Sequence, residues 1–153
     1  MININSLLND GQKILSNSSI KTSMLDAEIL LCCALKRSFK EVVVDRKINI
    51  KKNEINIYKD LIRRRKLGEP VAYIVKNKEF WKHSFYVDRN VLIPRPDSEI
   101  IVVEALKLLD TNDKGFILDI GTGSGCLVIS LAKERPNYFY SAIDISKKAI
   151  KVA

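Results

Sequence analysis

The stretch Asp119-Ile120-Gly121-Thr122-Gly123-Ser124-Gly125-Cys126 limits the fold of this chain more than any other. It stands where an apolar run, Phe116 to Asp119, gives way to residues of helical spacing from Gly125 to about Glu134. A short apolar run bounded by turn residues reads as a buried strand. Alternate glycines at a strand-to-helix junction let the backbone turn tightly and approach a ligand closely, and the helix start beyond offers unpaired N–H groups. Tyr138 to Ile145 reads as a second strand, with Ser146 capping a further helix. The expected unit is βαβ. Asp144 falls at the end of its second strand, 19 residues past Gly125, where an acceptor can bind ribose hydroxyls.

A nicotinamide dinucleotide site would require Gly-x-Gly-x-x-Gly. Reading from Gly121 puts Cys126 at the third glycine, and reading from Gly123 puts Val128 there, so the fingerprint fails in both registers. What stands instead is Gly-x-Gly-x-Gly with Asp119 two residues upstream, which resembles motif I of the class I S-adenosylmethionine methyltransferases. That cofactor has no pyrophosphate to seat on the helix. The resemblance implies that Gly121, Thr122, Gly123, Ser124 and Gly125 pass under the methionine moiety, that Asp119 helps hold its amino end, and that Asp144 takes the ribose. Without a ligand, the same glycines would simply form a tight turn.

From Ile2 to about Lys66, apolar residues recur at helical spacing: Ile4, Leu7, Leu8 and Leu15, then Leu25, Ile29, Leu30 and Cys33, then Ile57, Leu61 and Ile62. This predicts a small helical bundle. Ser38 with Glu41 three residues on reads as a capping box. The last helix should end at Gly68, which suits the left-handed position after a helix, and Pro70 cannot continue it. The run Arg63-Arg64-Arg65-Lys66 sits on its final turn, where the helix dipole already favours cations. Contact with a partner protein or with ribosomal RNA is the alternative use of that run.

Beyond Pro70 come short β-branched and aromatic runs, Val71 to Val75, Glu79 to Trp81, Phe85 to Val87 and Val91 to Ile93. Polar turn residues separate them, which predicts strands and a β-hairpin between two domains. Pro94 and Pro96 then enforce an extended approach to a helix from about Ser98 to Leu109.

The segments Glu69-Pro70-Val71-Ala72-Tyr73-Ile74, Glu79-Phe80-Trp81 and Val91-Leu92-Ile93-Pro94-Arg95-Pro96-Asp97-Ser98-Glu99 resemble the linker of the HemK-type release-factor glutamine N5-methyltransferases. The order of parts is similar too. The resemblance implies a helical substrate-recognition domain over 1–68, a β-hairpin linker over 69–95, and the first part of a Rossmann-like, S-adenosylmethionine-binding α/β domain over 96–153. It implies methyl transfer to the side-chain amide of glutamine in the Gly-Gly-Gln motif of class I peptide chain release factors. It also suggests that Arg95 and Glu99 shape the substrate or cofactor mouth, although a loop arginine and a first-turn glutamate are equally explained without a ligand.

The sequence departs from the family in three places. Lys76 stands where the family usually has glycine, and Pro96-Asp97-Ser98-Glu99 replaces its Pro-Glu-Thr-Glu. No Asn-Pro-Pro occurs in the chain, whereas the family's Asn-Pro-Pro-Tyr follows its fourth strand. In the family that motif accepts the two amide hydrogens of the substrate and aligns its nitrogen. The expectation is that this chain is a truncated portion and inactive alone. Two other readings stay open: a non-catalytic module that docks a release factor, and part of a ribosomal-protein glutamine methyltransferase.

Composition adds exclusions. Met1 to Asp10 lacks a secretory pattern, and the longest apolar run, Ile29 to Leu35, is too short to span a bilayer. The expected location is the cytoplasm. Cys32, Cys33 and Cys126 have neither disulfide nor metal-ligand spacing and are expected as reduced core residues. His83 is expected to be structural or solvent-facing, Cys126 to pack between helix and sheet, and Phe80, Trp81 and Phe85 to fill a core. The net charge of +8 is accounted for by lysines on solvated helix faces, with no nucleic-acid partner needed.

Overall fold

A computed structural model describes residues 3–44 and 49–153. The chain divides into two compact units, Met1–Val75 and Lys76–Ala153. The expected start of the helical pattern at Ile2 lies outside the described residues.

The first unit is helical: α1 (Ile4–Ser16), α2 (Ser23–Leu35), α3 (Phe39–Val44), α4 (Lys52–Lys66) and α5 (Val71–Val75). Asn3 opens α1 by accepting from the Ser6 N–H at 2.9 Å while the Ser6 hydroxyl accepts from the Asn3 N–H at 3.0 Å. The Ser38–Glu41 box forms as its spacing predicts, with the Ser38 N–H donating to Glu41 Oε2 at 2.7 Å and the Glu41 N–H to Ser38 Oγ at 3.3 Å. Gly68 follows α4 with φ +91°, as expected of a helix stop. Leu7, Leu15, Leu30, Leu31, Tyr58 and Ile62 form the heart of this unit.

Three features of the first unit differ from the sequence reading. Along α2 the buried face carries Asp26, Ala27, Leu30, Leu31 and Ala34, while Leu25 is 55% exposed and Cys33 lies at the surface. This helix is apolar on nearly every side, so periodicity cannot choose its face. The choice is made by Asp26, whose Oδ2 takes Arg65 Nε of α4 at 2.7 Å. On α4, Ile57 is likewise exposed, and Tyr58, Leu61 and Ile62 are buried. The run Val71 to Val75 is a helix rather than a strand: the N–H groups of Tyr73 and Ile74 donate to the Pro70 carbonyl at 3.0 and 3.1 Å. Val71, Ile74 and Val75 all pack on the helical core, and their i, i+3, i+4 spacing overrides β propensity.

The basic run at the end of α4 is largely spent within this unit. Arg64 grips Glu69 through two bonds of 2.8 Å, Arg65 pairs with the buried Asp26, and Arg63 reaches Asp60 at 2.7 Å.

The second unit begins at Lys76, whose φ of +56° is the left-handed conformation that glycine takes cheaply. Strands β1 (Lys78–Phe80) and β2 (His83–Phe85) pair antiparallel, Phe80 opposite His83, around Trp81 with φ +57°. No strand forms at Val91–Ile93. There the Asp88 carboxylate accepts the Asn90 N–H at 2.8 Å, turning the chain, and Pro94 and Pro96 cannot donate to a ladder. A 3-10 turn at Pro96–Ser98 leads into α6 (Glu99–Leu108). Strand β3 (Phe116–Ile120), helix α7 (Cys126–Glu134), strand β4 (Phe139–Ile143) and helix α8 (Lys147–Ile150) follow, and β3 pairs parallel to β4 from Phe116–Phe139 to Ile120–Ile143.

Phe80, Phe85, Val102 and Leu131 form the core of this unit. The expected aromatic packing holds for the two phenylalanines, which meet edge to face at 6.3 Å. Trp81 is half-buried: its N–H donates to Glu99 Oε1 at 2.9 Å and its indole N–H to Glu134 Oε1 at 2.8 Å, where Lys82 Nζ also donates at 2.6 Å. The hairpin turn is thereby fastened to the start of α6 and the end of α7. His83 sets its ring edge against Phe85, and its Nε2 is buried without a partner among the described residues. One face of the β3–β4 pair is bare, with Phe116 and Phe139 stacked at 5.2 Å and Leu118, Ile120 and Ile143 exposed beside them.

Candidate cofactor site

The glycine loop is held by the strand beside it. The Gly121 and Thr122 N–H groups both donate to the Ile143 carbonyl, at 2.8 and 3.1 Å, so the end of β3 is latched to the end of β4. The next donor, Gly123 N–H, reaches Asp144 Oδ2 at 2.9 Å. The other oxygen of that carboxylate accepts the Ser146 N–H at 2.8 Å, and the Ser146 hydroxyl caps α8 through the Ala149 N–H at 3.2 Å. Asp144 therefore joins the glycine loop to the start of α8. The bonds from Ser146 and Gly123 hold its carboxyl below the usual aspartate range.

Gly123 and Gly125 have φ +56° and +77°, which side-chain-bearing residues adopt only at a cost. A Cβ at Gly123 would meet nothing within 4 Å, so the backbone conformation alone demands glycine there. At Gly125 a Cβ would in addition stand 2.8 Å from Ile129 Cδ1 of α7. The loop thus presents bare backbone on one side and packs on its helix on the other.

Three polar atoms at this loop are buried with no hydrogen-bond partner among the described residues: Asp119 Oδ2, Thr122 Oγ1 and Ser124 Oγ. Buried polar groups are ordinarily paired. Orphans gathered on one loop match a ligand carrying donors, which is the test a cofactor with an amino group and ribose hydroxyls must pass here. The residues fit such a group. Burial pushes the Cys126 thiol up, which suits the half-buried packing role expected of it.

The structure ties Gly121, Thr122, Gly123, Gly125 and Asp144 into one hydrogen-bonded loop, with Asp119 at the penultimate position of β3. Glu99 serves the hairpin through the Trp81 N–H, and Arg95 is exposed in extended backbone before the 3-10 turn. Sequence reasoning missed the Ile143 carbonyl, because a backbone acceptor leaves no trace in residue identity. It also missed the second bond of Asp144, for which Ser146 two residues on was the available signal. Among the described residues no group of acidic, histidine or cysteine side chains has the arrangement of a metal site.

Comparison with known proteins agrees with this architecture. Residues 6–75 match the family model described as the PrmC N-terminal domain, and residues 101–153 match that of the methyltransferase small domain. The release factor glutamine methyltransferase of Coxiella burnetii is 41% identical over 133 residues, covering 87% of this chain and 48% of that protein. That of Buchnera aphidicola subsp. Schizaphis graminum is 38% identical over 152 residues, 99% of this chain and 54% of the relative. That of Leptospira interrogans is 37% identical over 148 residues, 96% and 52%. The chain spans about half the length of these curated relatives. With both domain matches in order along it, and alignments running through hairpin and glycine loop alike, the chain belongs to the release factor glutamine methyltransferase family.

Proposed function

We propose that the chain is the cofactor-holding and substrate-recognising portion of an enzyme that methylates the glutamine side-chain amide in the Gly-Gly-Gln motif of class I peptide chain release factors. The observation that carries this reading is the glycine loop fastened to Asp144, with Asp119 Oδ2, Thr122 Oγ1 and Ser124 Oγ left as buried acceptors. S-adenosylmethionine supplies an electrophilic methyl group on a sulfonium. Asp119 would hold the amino end of the methionine moiety, Asp144 would accept from the ribose hydroxyls, and the bare backbone at Gly121 and Gly123 would allow close approach. Arg95 and Glu99 shape the substrate mouth, Glu99 by fixing the hairpin turn.

In this reading residues 1–68 recognise the substrate, 69–95 form the linker, and 96–153 open a Rossmann-like α/β domain that works in the cytoplasm and needs no nucleic acid. With no Asn-Pro-Pro in the 153 residues, the groups that align the substrate amide are missing, and the chain alone binds cofactor without transferring methyl.

Isothermal titration of the purified chain with S-adenosylmethionine tests the reading. Saturable binding is expected, weakened by at least about tenfold, or about 1.4 kcal/mol, in Asp119→Asn, and again in Asp144→Ala. Absence of saturable binding by a chain whose far-ultraviolet circular dichroism shows it folded would refute it.

A further inference from the structure

Helix α4 presents one narrow polar face to solvent. Lys52, Asn56, Lys59, Arg63 and Lys66 recur at alternating intervals of four and three residues, and all are exposed. With 3.6 residues per turn, that spacing holds them within about 80° of arc along about 21 Å of helix. Lys13 of α1 adjoins this stripe, lining one groove with Lys59, Arg63 and Lys66. These cations are available to a ligand. Lys13, Lys52, Lys59 and Lys66 make no ion pair among the described residues, and Arg63 is held by Asp60 in a pair exposed on both sides, which contributes little. Arg64 and Arg65, by contrast, are consumed by Glu69 and Asp26.

The stripe on α4 holds no apolar side chain, and this decides what it can bind. Stable protein contacts are anchored by large side chains seated in desolvated pockets. Single-stranded nucleic acid uses exposed aromatic faces on which bases stack, whereas Tyr58, the aromatic residue of α4, is 2% exposed. A row of unpaired cations with neither feature suits a regular row of phosphates, where affinity comes from the release of condensed counterions. Double-stranded RNA offers such a row with 2′-hydroxyls beside it. Asn56 stands within the stripe, and its amide, donor and acceptor at once, matches a hydroxyl that is both. We propose that the α4 stripe, with Lys13, binds the backbone of double-stranded RNA. Methyl transfer needs no such contact, so this surface is separate from the enzymatic reading above.

The test is fluorescence anisotropy of the full chain with a labelled RNA duplex of about 20 base pairs, somewhat longer than a double-stranded-RNA-binding domain spans, over a range of salt concentrations. Each phosphate neutralised adds nearly one unit to the salt dependence, so log K should fall with log salt at a slope of about −4. The variant Lys13→Gln, Lys52→Gln, Lys59→Gln, Lys66→Gln is expected to raise Kd at least about tenfold and to flatten the slope to about −1. Lys21→Gln, Lys40→Gln, Lys114→Gln, Lys133→Gln removes the same charge from exposed positions away from the stripe and should leave both the affinity and the slope near the wild-type values. Circular dichroism establishes that both variants are folded.

A wild-type chain that leaves the duplex unbound at low salt would overturn the proposal. Equal losses in the two variants would do the same, since they would trace binding to net charge and not to the stripe. A DNA duplex of the same sequence bound as tightly as the RNA, or RNA displaced by polyglutamate at equal charge concentration, would assign the stripe to another class of polyanion and overturn it as well. S-adenosylmethionine titration of the same samples reads separately on the enzymatic reading, so the two can fail independently.

Discussion

Replacing Gly11 by alanine should destabilise the first unit even though it improves the helix. In a helix interior, alanine is favoured over glycine by about 1 kcal/mol. Gly11, however, lies on the buried side of α1, where a Cβ would overlap the Tyr58 hydroxyl and stand 3.0 Å from Tyr58 Cζ and 3.1 Å from Ile62 Cδ1. Tyr58 and Ile62 are each 2% exposed, so displacing either one disturbs its packing on the helical core. Overpacking of this kind costs about 1–3 kcal/mol, and pushing the hydroxyl off the Leu7 carbonyl about 1 kcal/mol more. Set against the propensity gain, the balance is a loss of about 1–3 kcal/mol. In a Tyr58→Phe background the hydroxyl is gone and its bond already lost, so Gly11→Ala should there be close to neutral, a coupling of about 1–3 kcal/mol between the two sites. Urea unfolding followed at 222 nm for wild type, both single variants and the double variant measures each corner of this cycle. Additive effects, or a Gly11→Ala chain more stable than wild type, would refute the packing argument.

Other outcomes follow from local geometry. Lys76→Gly should stabilise the chain by about 1 kcal/mol in the same urea assay, because Lys76 holds φ +56° and glycine removes the cost of a left-handed side-chain-bearing residue. The Glu134 carboxyl is held below the ordinary glutamate range first by Lys82 and then by the Trp81 indole. A depressed carboxylate contributes stability that is present above the unfolded value and lost as pH falls through the folded one. The fluorescence of Trp81, the chain's one tryptophan, should accordingly change on acidification with a midpoint below the ordinary glutamate pKa, and Glu134→Gln should abolish that step. An unaltered acid transition in Glu134→Gln would show that the hairpin clamp is not what titrates.

The site was easier to read than the fold around it. Three alternate glycines preceded by Asp119 and followed at the right interval by Asp144 are marks of residue identity, and both ends of the loop are visible in a single string. The Ser38–Glu41 box and the Gly68 stop were legible for the same reason: each is a local pattern with a local cause. Where burial is decided by a distant partner, local pattern fails. Val71 to Val75 has strand composition, yet the helical core accepts three of its residues on one helical face. Helix α2 is too uniformly apolar to announce which side goes inward, and the deciding residue is the buried carboxylate of Asp26, whose partner Arg65 lies 39 positions away. At Val91–Ile93 a side-chain turn at Asp88 and two prolines outweigh a run of β-forming residues. Backbone acceptors such as the Ile143 carbonyl have no sequence signature at all.

Asp144 is tied to Gly123 and Ser146 by bonds from the protein's own backbone. The entropy of ordering the glycine loop is therefore charged to folding and not to the moment of association. On the proposed function, ligands arriving at a loop already in that shape differ in affinity by the contacts they make, and a series of S-adenosylmethionine analogues tests Asp119, Thr122 and Ser124 one hydrogen bond at a time. Substitution of Asp144 is a different kind of change. It removes an acceptor and the rigidity of the loop together, and its effect on binding should carry a large entropic component that the analogue series lacks.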